Sequence, residues 1–97
     1  MTHARLSLMV ALALTVLAGA AEAQCYADYK AKQDDPLRLH YGVVELPGDV
    51  CNRGAAEDNI APRLRAAGWQ LLNVVSVFGP EGLDERKANA GEFYLRF

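Results

Sequence analysis

The feature that most constrains the fold is the apolar N-terminus of the chain. Arg5 precedes an apolar run from Leu6 to Ala20, and Ala21-Glu22-Ala23 fits the small-x-small site of a signal peptidase. A run of about 15 residues is shorter than the roughly 20 that a spanning helix needs. We therefore expect residues 1–23 to be a signal peptide, which leaves 74 of the 97 residues to fold.

Two alternatives for this segment are an uncleaved N-terminal anchor and a lipoprotein signal, since Cys25 follows the cleavage site closely. A lipoprotein signal has a small residue directly before its cysteine, whereas here Gln24 holds that place. We expect a periplasmic or secreted protein that begins at Gln24 and has no membrane span after cleavage.

The two cysteines offer the extra constraint that so short a chain needs, because 74 residues lie near the limit at which one core suffices. In an oxidising compartment, Cys25 and Cys51 predict a disulfide. Closing that loop restricts the unfolded chain by about 3.5 kcal/mol. An intermolecular disulfide and a reactive or metal-binding thiol are the alternatives. Neither a Cys-x-x-Cys motif nor a histidine other than His40 accompanies the cysteines after residue 23.

The first half of the expected domain contains one ambiguous segment and one strand. Residues 24–33 alternate apolar and polar as a strand does, but Ala, Lys and Gln favour a helix, and we interpret them as a short helix. Residues 37–46 predict a half-buried strand whose inward face carries Leu37, Leu39, Tyr41 and Val43, while His40 faces outward.

The second half begins with the main helix, predicted over residues 57–67. An N-cap at Asp58 or Asn59 would place Pro62 in the first turn, where proline is tolerated, whereas a start at Gly54 would require a kink at Pro62. Gly68 is suited to end the helix in the left-handed conformation. Trp69 starts a run to Phe78 that is apolar on both faces, which is typical of a central strand.

Residues 79–91 are expected to form a loop with one helical turn at 84–88, and residues 92–97 a final strand antiparallel to 69–78. The fold class is thus α+β: a small antiparallel or mixed three-stranded sheet packed by one main helix, with a disulfide-tied N-terminal helix or strand. It forms a single domain over residues 24–97. The predicted core residues are Leu39, Tyr41, Val43, Ile60, Leu64, Trp69, Leu71, Val75, Phe93 and Leu95.

Two stretches resemble a known family. A helix ending in "LRAAGWQLLNVVSV" and the terminal "EFYLRF" are similar to the small bacterial domain of unknown function 4177 family, over residues 38–97. The chain also looks like small exported alphaproteobacterial proteins that carry "CYADYKAK" and "LHYGV". The resemblance implies a compact α+β fold and brings no established activity or site. Export, residues 25–35, Pro62 and the long segment after Gly79 depart from the family pattern.

No catalytic constellation is recognisable. His40 lacks a nucleophile or acid at a characteristic spacing, so a surface position is the simpler interpretation. The acidic residues fall in predicted turns and helix starts, without the ligand pattern of a calcium loop. The net charge of −2 and the scattered basic residues argue against nucleic acid binding. We expect no catalytic residue, metal or cofactor.

Two surfaces suit binding. The long loop is one of them, because loops of this length are often functional. The other is the group of Tyr26, Tyr29 and Tyr41, which instead pack against the sheet if the N-terminal segment docks there. The loop's candidate partner-binding residues are Pro80, Glu81, Leu83, Asp84, Glu85, Arg86 and Lys87.

The sequence favours an exported, non-enzymatic module that binds a protein, peptide or envelope component. The alternative is a small periplasmic hydrolase or enzyme inhibitor that uses His40 with a nearby carboxylate. Pairing of the C-terminal strand in a homodimer is a further expectation.

Overall fold

The structure, a computed structural model, describes residues 24–97, and the predicted signal peptide lies outside them. Three strands form one sheet: β1 (Cys25–Gln33), β2 (Arg38–Leu46) and β3 (Gln70–Phe78). Helix α1 (Arg53–Ala66) connects β2 to β3, and helix α2 (Asp84–Ala90) follows β3. The strand order is β2-β1-β3, and both pairings are antiparallel. The α+β prediction is therefore confirmed.

Strand β1 is the centre of the sheet, so the helical interpretation of residues 24–33 is wrong. Pairing on both sides overrides the helix propensity of its Ala, Lys and Gln residues. Its alternation places Cys25, Ala27, Tyr29 and Ala31 on one face, and all four are buried. We call this the first face of the sheet and the opposite side the second face.

Helix α1 covers the first face, where its Ala56, Ile60 and Leu64 are fully buried. The predicted disulfide is present: Cys25 at the start of β1 and Cys51 before α1 are bonded, with their Cα atoms 5.9 Å apart. The bond ties the central strand to the start of the helix that packs on it.

Helix α1 begins earlier than predicted. Asn52 is the N-cap, and its side-chain oxygen accepts a 2.9 Å hydrogen bond from the Ala55 N–H. Pro62 therefore lies inside the helix, and the predicted caps at Asp58 or Asn59 are wrong. The first turn, residues 53–56, gave no apolar signal because its one buried side chain, Ala56, is too small to extend the pattern of Ile60 and Leu64.

The predicted end of α1 is confirmed. Gly68 has a φ of 86°, and its N–H donates to the Arg65 carbonyl at 3.0 Å. The Trp69 N–H donates to the Leu64 carbonyl at 2.9 Å. Together these bonds form a Schellman motif, which delivers the chain into β3 within two residues.

Strand β3 is confirmed as a strand, but it lies at an edge and not at the centre. Two register shifts against β1 leave Leu72 and Val75 without a Cα partner. As a result Leu71, Val74 and Val77 all face α1 at intervals of three residues. The apolar run on both faces thus comes from two bulges and does not require burial on both sides.

The C-terminal segment is not a strand. Residues 91–93 form a 3₁₀ turn, and a single parallel bridge joins Tyr94 to Val43 at the outer edge of β2. There the Leu95 N–H donates to the Val43 carbonyl at 2.8 Å. The predicted antiparallel pair with β3 is wrong, and a homodimer would need a different edge. The predicted loop at 79–91 is a 3₁₀ turn (Pro80–Gly82) followed by α2, which contains the expected helical turn.

The predicted core is correct only in part. Val43, Ile60 and Leu64 are fully buried, and Tyr41, Trp69, Leu71 and Phe93 are half-buried. The assignments of Leu39, Val75 and Leu95 are wrong because these side chains are exposed. Leu39 lies on the second face beyond the reach of α2, and Val75 is a bulge residue. Within residues 24–97, no helix is both long and apolar enough to cross a bilayer.

Candidate functional site

The second face of the sheet is covered over only one of its halves. Alternation along β1 places Asp28, Lys30 and Lys32 on this face. Helix α2 packs over the half that contains Asp28, where Val43 and Ala90 are buried. The other half, around Lys30, remains open to solvent.

The covered half is organised by Asp28, which is only 4% exposed. Its carboxylate accepts hydrogen bonds from the Ser76 hydroxyl at 2.6 Å, the Tyr41 hydroxyl at 2.8 Å and Arg86 Nε at 3.1 Å. We call these four residues the Asp28 network. Arg86 belongs to α2 and also lies 4.0 Å over the ring of Phe78. The network therefore fixes α2 to β1, β2 and β3 at once.

Hydrogen bonding decides the charge state of Asp28. Burial alone would raise the pKa of this carboxyl, but the donors Ser76, Tyr41 and Arg86, with the charge of Arg86, bring it below its ordinary value. Burial, assisted by the bond to Asp28, raises the pKa of Tyr41 to about 12. At neutral pH the network therefore holds a carboxylate, a neutral phenol and a guanidinium.

His40 lies on the first face and is 9% exposed, so its predicted surface position is wrong. Its Nε2 and the Tyr29 hydroxyl share a 2.8 Å hydrogen bond. The imidazole stacks on Phe93 at 3.7 Å between ring centroids and meets Trp69 edge-on at 4.2 Å. Phe97 lies 6.1 Å away, and we call these five residues the His40 cluster.

Small residues make room for the His40 cluster. Ala31 lies between His40 and Leu71 in the strand register, which lets Trp69 reach across the central strand. Gly42 lies under the ring of Tyr29, and a Cβ there would be 2.6 Å from Cζ of that ring. Sequence alternation assigned His40 outward because exposed Leu37 and Leu39 looked like the buried face.

The chemistry of the His40 cluster is that of a packed interior. Burial lowers the pKa of His40, opposed by the charge of Glu92 and assisted by that of Arg96. Burial also raises the pKa of Tyr29. In the described residues no group hydrogen-bonds to His40 Nδ1, and no carboxylate bonds to either ring nitrogen. The cluster therefore holds a neutral imidazole whose one hydrogen-bond partner is the buried Tyr29 phenol.

Metal binding has no cluster to use in the described part of the chain. There, no group of three or more His, Cys, Asp or Glu side chains is arranged to hold an ion. Both cysteines are consumed by the disulfide.

The open half of the second face forms a shallow trough of about 330 Å³. Leu39 and Tyr41 from β2 line one side, Leu72 from β3 lines the other, and Lys30 of β1 lies between them. The main chain of Ala31 and His40 completes the lining, since their side chains alternate onto the first face. We call this feature the leucine trough. Leu39 and Leu72 are 67% and 48% exposed, and the neighbouring Leu37 is 65% exposed.

The two surfaces predicted to bind a partner differ in exposure: the tyrosines are packed, whereas most of the 79–91 residues are exposed. Tyr26 and Tyr29 are buried, and Tyr41 is half-buried with its hydroxyl bound to Asp28, so the three tyrosines pack against the sheet. In the 79–91 segment, Arg86 is committed to Asp28, and Leu83 is half-buried. The rest of the proposed binding residues there are exposed on α2 or the turn before it: Pro80, Glu81, Asp84, Glu85 and Lys87.

The leucine trough is not predicted from the sequence. Two of its residues, Leu39 and Tyr41, are predicted there as buried core residues instead. A signal did exist. Once residues 25–33 are a central strand, Asp28, Lys30 and Lys32 must share one face, and a face carrying two lysines is at least partly open to water.

Another cleft, of about 480 Å³, lies beside α1 and is lined by Arg63, Asn59, Glu45 and Phe97 among others. Arg63 already donates to the main-chain oxygens of Glu45 at 3.0 Å and Phe97 at 2.7 Å. Its guanidinium is therefore used to hold the C-terminal segment against the sheet.

Comparisons of the chain with protein-family models, with curated proteins and with solved structures find no match. No relative's activity therefore bears on the leucine trough, the Asp28 network or the His40 cluster.

Proposed function

We propose that this protein is an exported, non-enzymatic binding module whose binding surface is the leucine trough. The observation that carries the proposal is the exposure of Leu39 and Leu72 together on one half of a sheet face, with Leu37 exposed in the turn next to it. Clustered apolar side chains on a small domain mark interaction sites, whereas single ones are common everywhere. Export follows from the predicted signal peptide and agrees with the disulfide.

The two buried polar centres support a binding role over catalysis. Asp28 accepts hydrogen bonds from three side-chain donors, and His40 is enclosed by aromatic rings. A general base needs a reacting proton within hydrogen-bond reach, and Tyr29 occupies Nε2 of His40. The hydrolase or inhibitor alternative has less support for this reason. The variant His40→Gln tests this alternative, because a hydrolytic or inhibitory activity that depends on His40 should be lost in it.

Photo-crosslinking in the periplasm tests the proposed surface. A photoreactive residue at Leu39 should give adducts with a partner, whereas one at Glu57, exposed on α1 and remote from the trough, should give none. In the protein that carries the photoreactive residue at position 39, Leu72→Asn should remove the adducts without unfolding the domain.

A pair of substitutions separates the trough from the earlier candidate surface. Glu81→Gln with Glu85→Gln changes the exposed side of the 79–91 segment and should leave the adducts at position 39 unchanged. If that pair removes the adducts and Leu72→Asn does not, the binding surface is the 79–91 segment. The resemblance to the 4177 family stays a prediction and assigns no ligand to either surface.

A further inference from the structure

We infer that the leucine trough takes a single-chain amphiphile with a carboxylate head, such as a free fatty acid. This inference rests on the proposed function and adds the chemical class of the ligand. Three observations carry it: the size of the trough, its apolar walls, and the one cation at its floor.

The size points to a small ligand. A volume of about 330 Å³ lies at the lower end of the range found for small-molecule sites, which is roughly 300–1,000 Å³. A stable protein interface needs on the order of 1,000 Å² of buried surface, which a trough of this size does not supply by itself.

The walls favour an aliphatic chain. Leu39 and Leu72 face each other across β1 and present branched apolar side chains to solvent. No aromatic ring other than that of Tyr41 lines the trough among the described residues. The Tyr41 hydroxyl is bound to Asp28, so the ring offers an apolar surface at the end of the trough nearer α2.

The floor selects the sign and the size of the head group. Lys30 is exposed and is the one charged side chain among the described residues that line the trough. Its neighbour Lys32 lies 3.5 Å from Asp34, and Asp28 is bound by Arg86, so both nearby acids already have cationic partners. A single ammonium matches a carboxylate of one charge, whereas phosphate sites usually gather arginines or several cations.

The test is isothermal titration of the purified, disulfide-bonded protein with dodecanoate below its critical micelle concentration. We expect saturable binding of one dodecanoate, and much weaker binding of dodecyltrimethylammonium, which has the same chain and the opposite charge. Lys30→Met retains the length and apolar stem of the side chain. It should weaken dodecanoate binding at least about tenfold, the effect of losing one charge-assisted hydrogen bond.

Asp34→Asn is the matched control, because it removes the negative charge beside Lys32 and leaves the residues of the trough unchanged. Its dodecanoate affinity should stay within about twofold of the original. Backbone NMR shifts on titration should be largest at Lys30, Leu39 and Leu72.

Two results overturn the inference: no saturable binding of dodecanoate, or equal affinity for dodecanoate in the original protein and Lys30→Met. The crosslinking experiment at Leu39 separates this failure from that of the proposed function. Adducts at Leu39 without dodecanoate binding would leave the binding surface in place and exclude the fatty-acid class. If dodecanoate does not bind, and the adducts at position 39 are absent or are unaffected by Leu72→Asn, both the fatty-acid class and the proposed binding surface are excluded.

Discussion

Two polar side chains are buried in this small domain, on opposite faces of the same sheet, and they are stabilised in different ways. Asp28 is charged and has three side-chain donors, one of them a guanidinium. His40 has one hydrogen bond and is otherwise enclosed by Trp69 and Phe93. On the second face, hydrogen bonds and an ion pair to a charged carboxylate hold the packed residues together. On the first face, aromatic side chains pack around a neutral imidazole.

The difference shows what holds each covering layer in place. Helix α1 brings Ala56, Ile60 and Leu64 to the first face and is held by apolar burial. Helix α2 buries only Ala90 among its seven residues, so it relies on Arg86 and its bond to Asp28. The two layers should therefore respond differently to mutation and to pH.

The largest effect is expected from Asp28→Ala, which leaves Arg86, Ser76 and Tyr41 without their shared acceptor. We expect a loss of about 3 kcal/mol, the lower end for breaking a buried ion pair, because Arg86 is 22% exposed and regains some water. Urea denaturation measures it. Asp34→Ala, which removes the exposed partner of Lys32, should cost well under 1 kcal/mol. Equal losses in both variants would contradict the role given to the Asp28 network.

On the first face the corresponding variant is Gly42→Ala. The new methyl group would overlap the ring of Tyr29, which is fully buried and bound to His40. Overpacking of this kind costs about 1–3 kcal/mol. Gly54→Ala is the control, since the nearest atom to its new Cβ is 3.8 Å away, and it should be neutral or slightly stabilising. Thermal melts of both variants check the difference, and a neutral Gly42→Ala would contradict the packing of the His40 cluster.

The two centres should lose their stabilisation in different pH ranges. The pKa of His40 is lowered by burial, so the unfolded chain binds a proton more readily, and the His40 contribution fades as the pH falls below about 6.5. The pKa of Asp28 is lowered by its donors, so its contribution is complete above about 3.9 and is lost in stronger acid. Urea denaturation from pH 8 to 3 should show both ranges.

His40→Gln is the variant that assigns the upper range. It should flatten the stability profile between pH 7 and 5 and leave the acid limb unchanged. If the stability of His40→Gln still falls between pH 7 and 5, a group other than His40 is responsible for that pH dependence.

The smallest effect is expected from Leu39→Ala, in the open half of the second face. An exposed side chain contributes little to folding, so the free energy of unfolding should change by less than about 0.5 kcal/mol. Chemical denaturation checks it. A loss of 2 kcal/mol or more would show that Leu39 is covered, and would remove the argument for the leucine trough.

Local signals were enough to predict several parts of this fold. Gly68 after an amphipathic helix predicted the helix end, and the apolar run from Trp69 to Phe78 predicted β3. The disulfide followed from two cysteines beside a predicted signal peptide. Each of these rests on the conformation or chemistry of a few neighbouring residues.

The errors have a common physical cause, which is that pairing partners far apart in sequence decided the outcome. Residues 25–33 became the central strand because β2 and β3 pair with both of their edges. Residues 92–97 form no strand because a single bridge, Tyr94 to Val43, joins that segment to the edge of β2. His40 is buried because Phe93 and Trp69 converge on it, which no period along β2 reveals.

The bulges of β3 also bear on how the protein behaves at high concentration. The strand has nine residues and no charged side chain, and its outer edge lacks a neighbouring strand in the described residues, a combination that invites stacking into aggregates. The extra residues at Leu72 and Val75 break the regular spacing that a stacking strand requires, and Arg53 of α1 occupies the Val75 carbonyl at 2.8 Å. We therefore expect the irregularity that hides this strand's periodicity also to hinder amyloid-like growth of the chain.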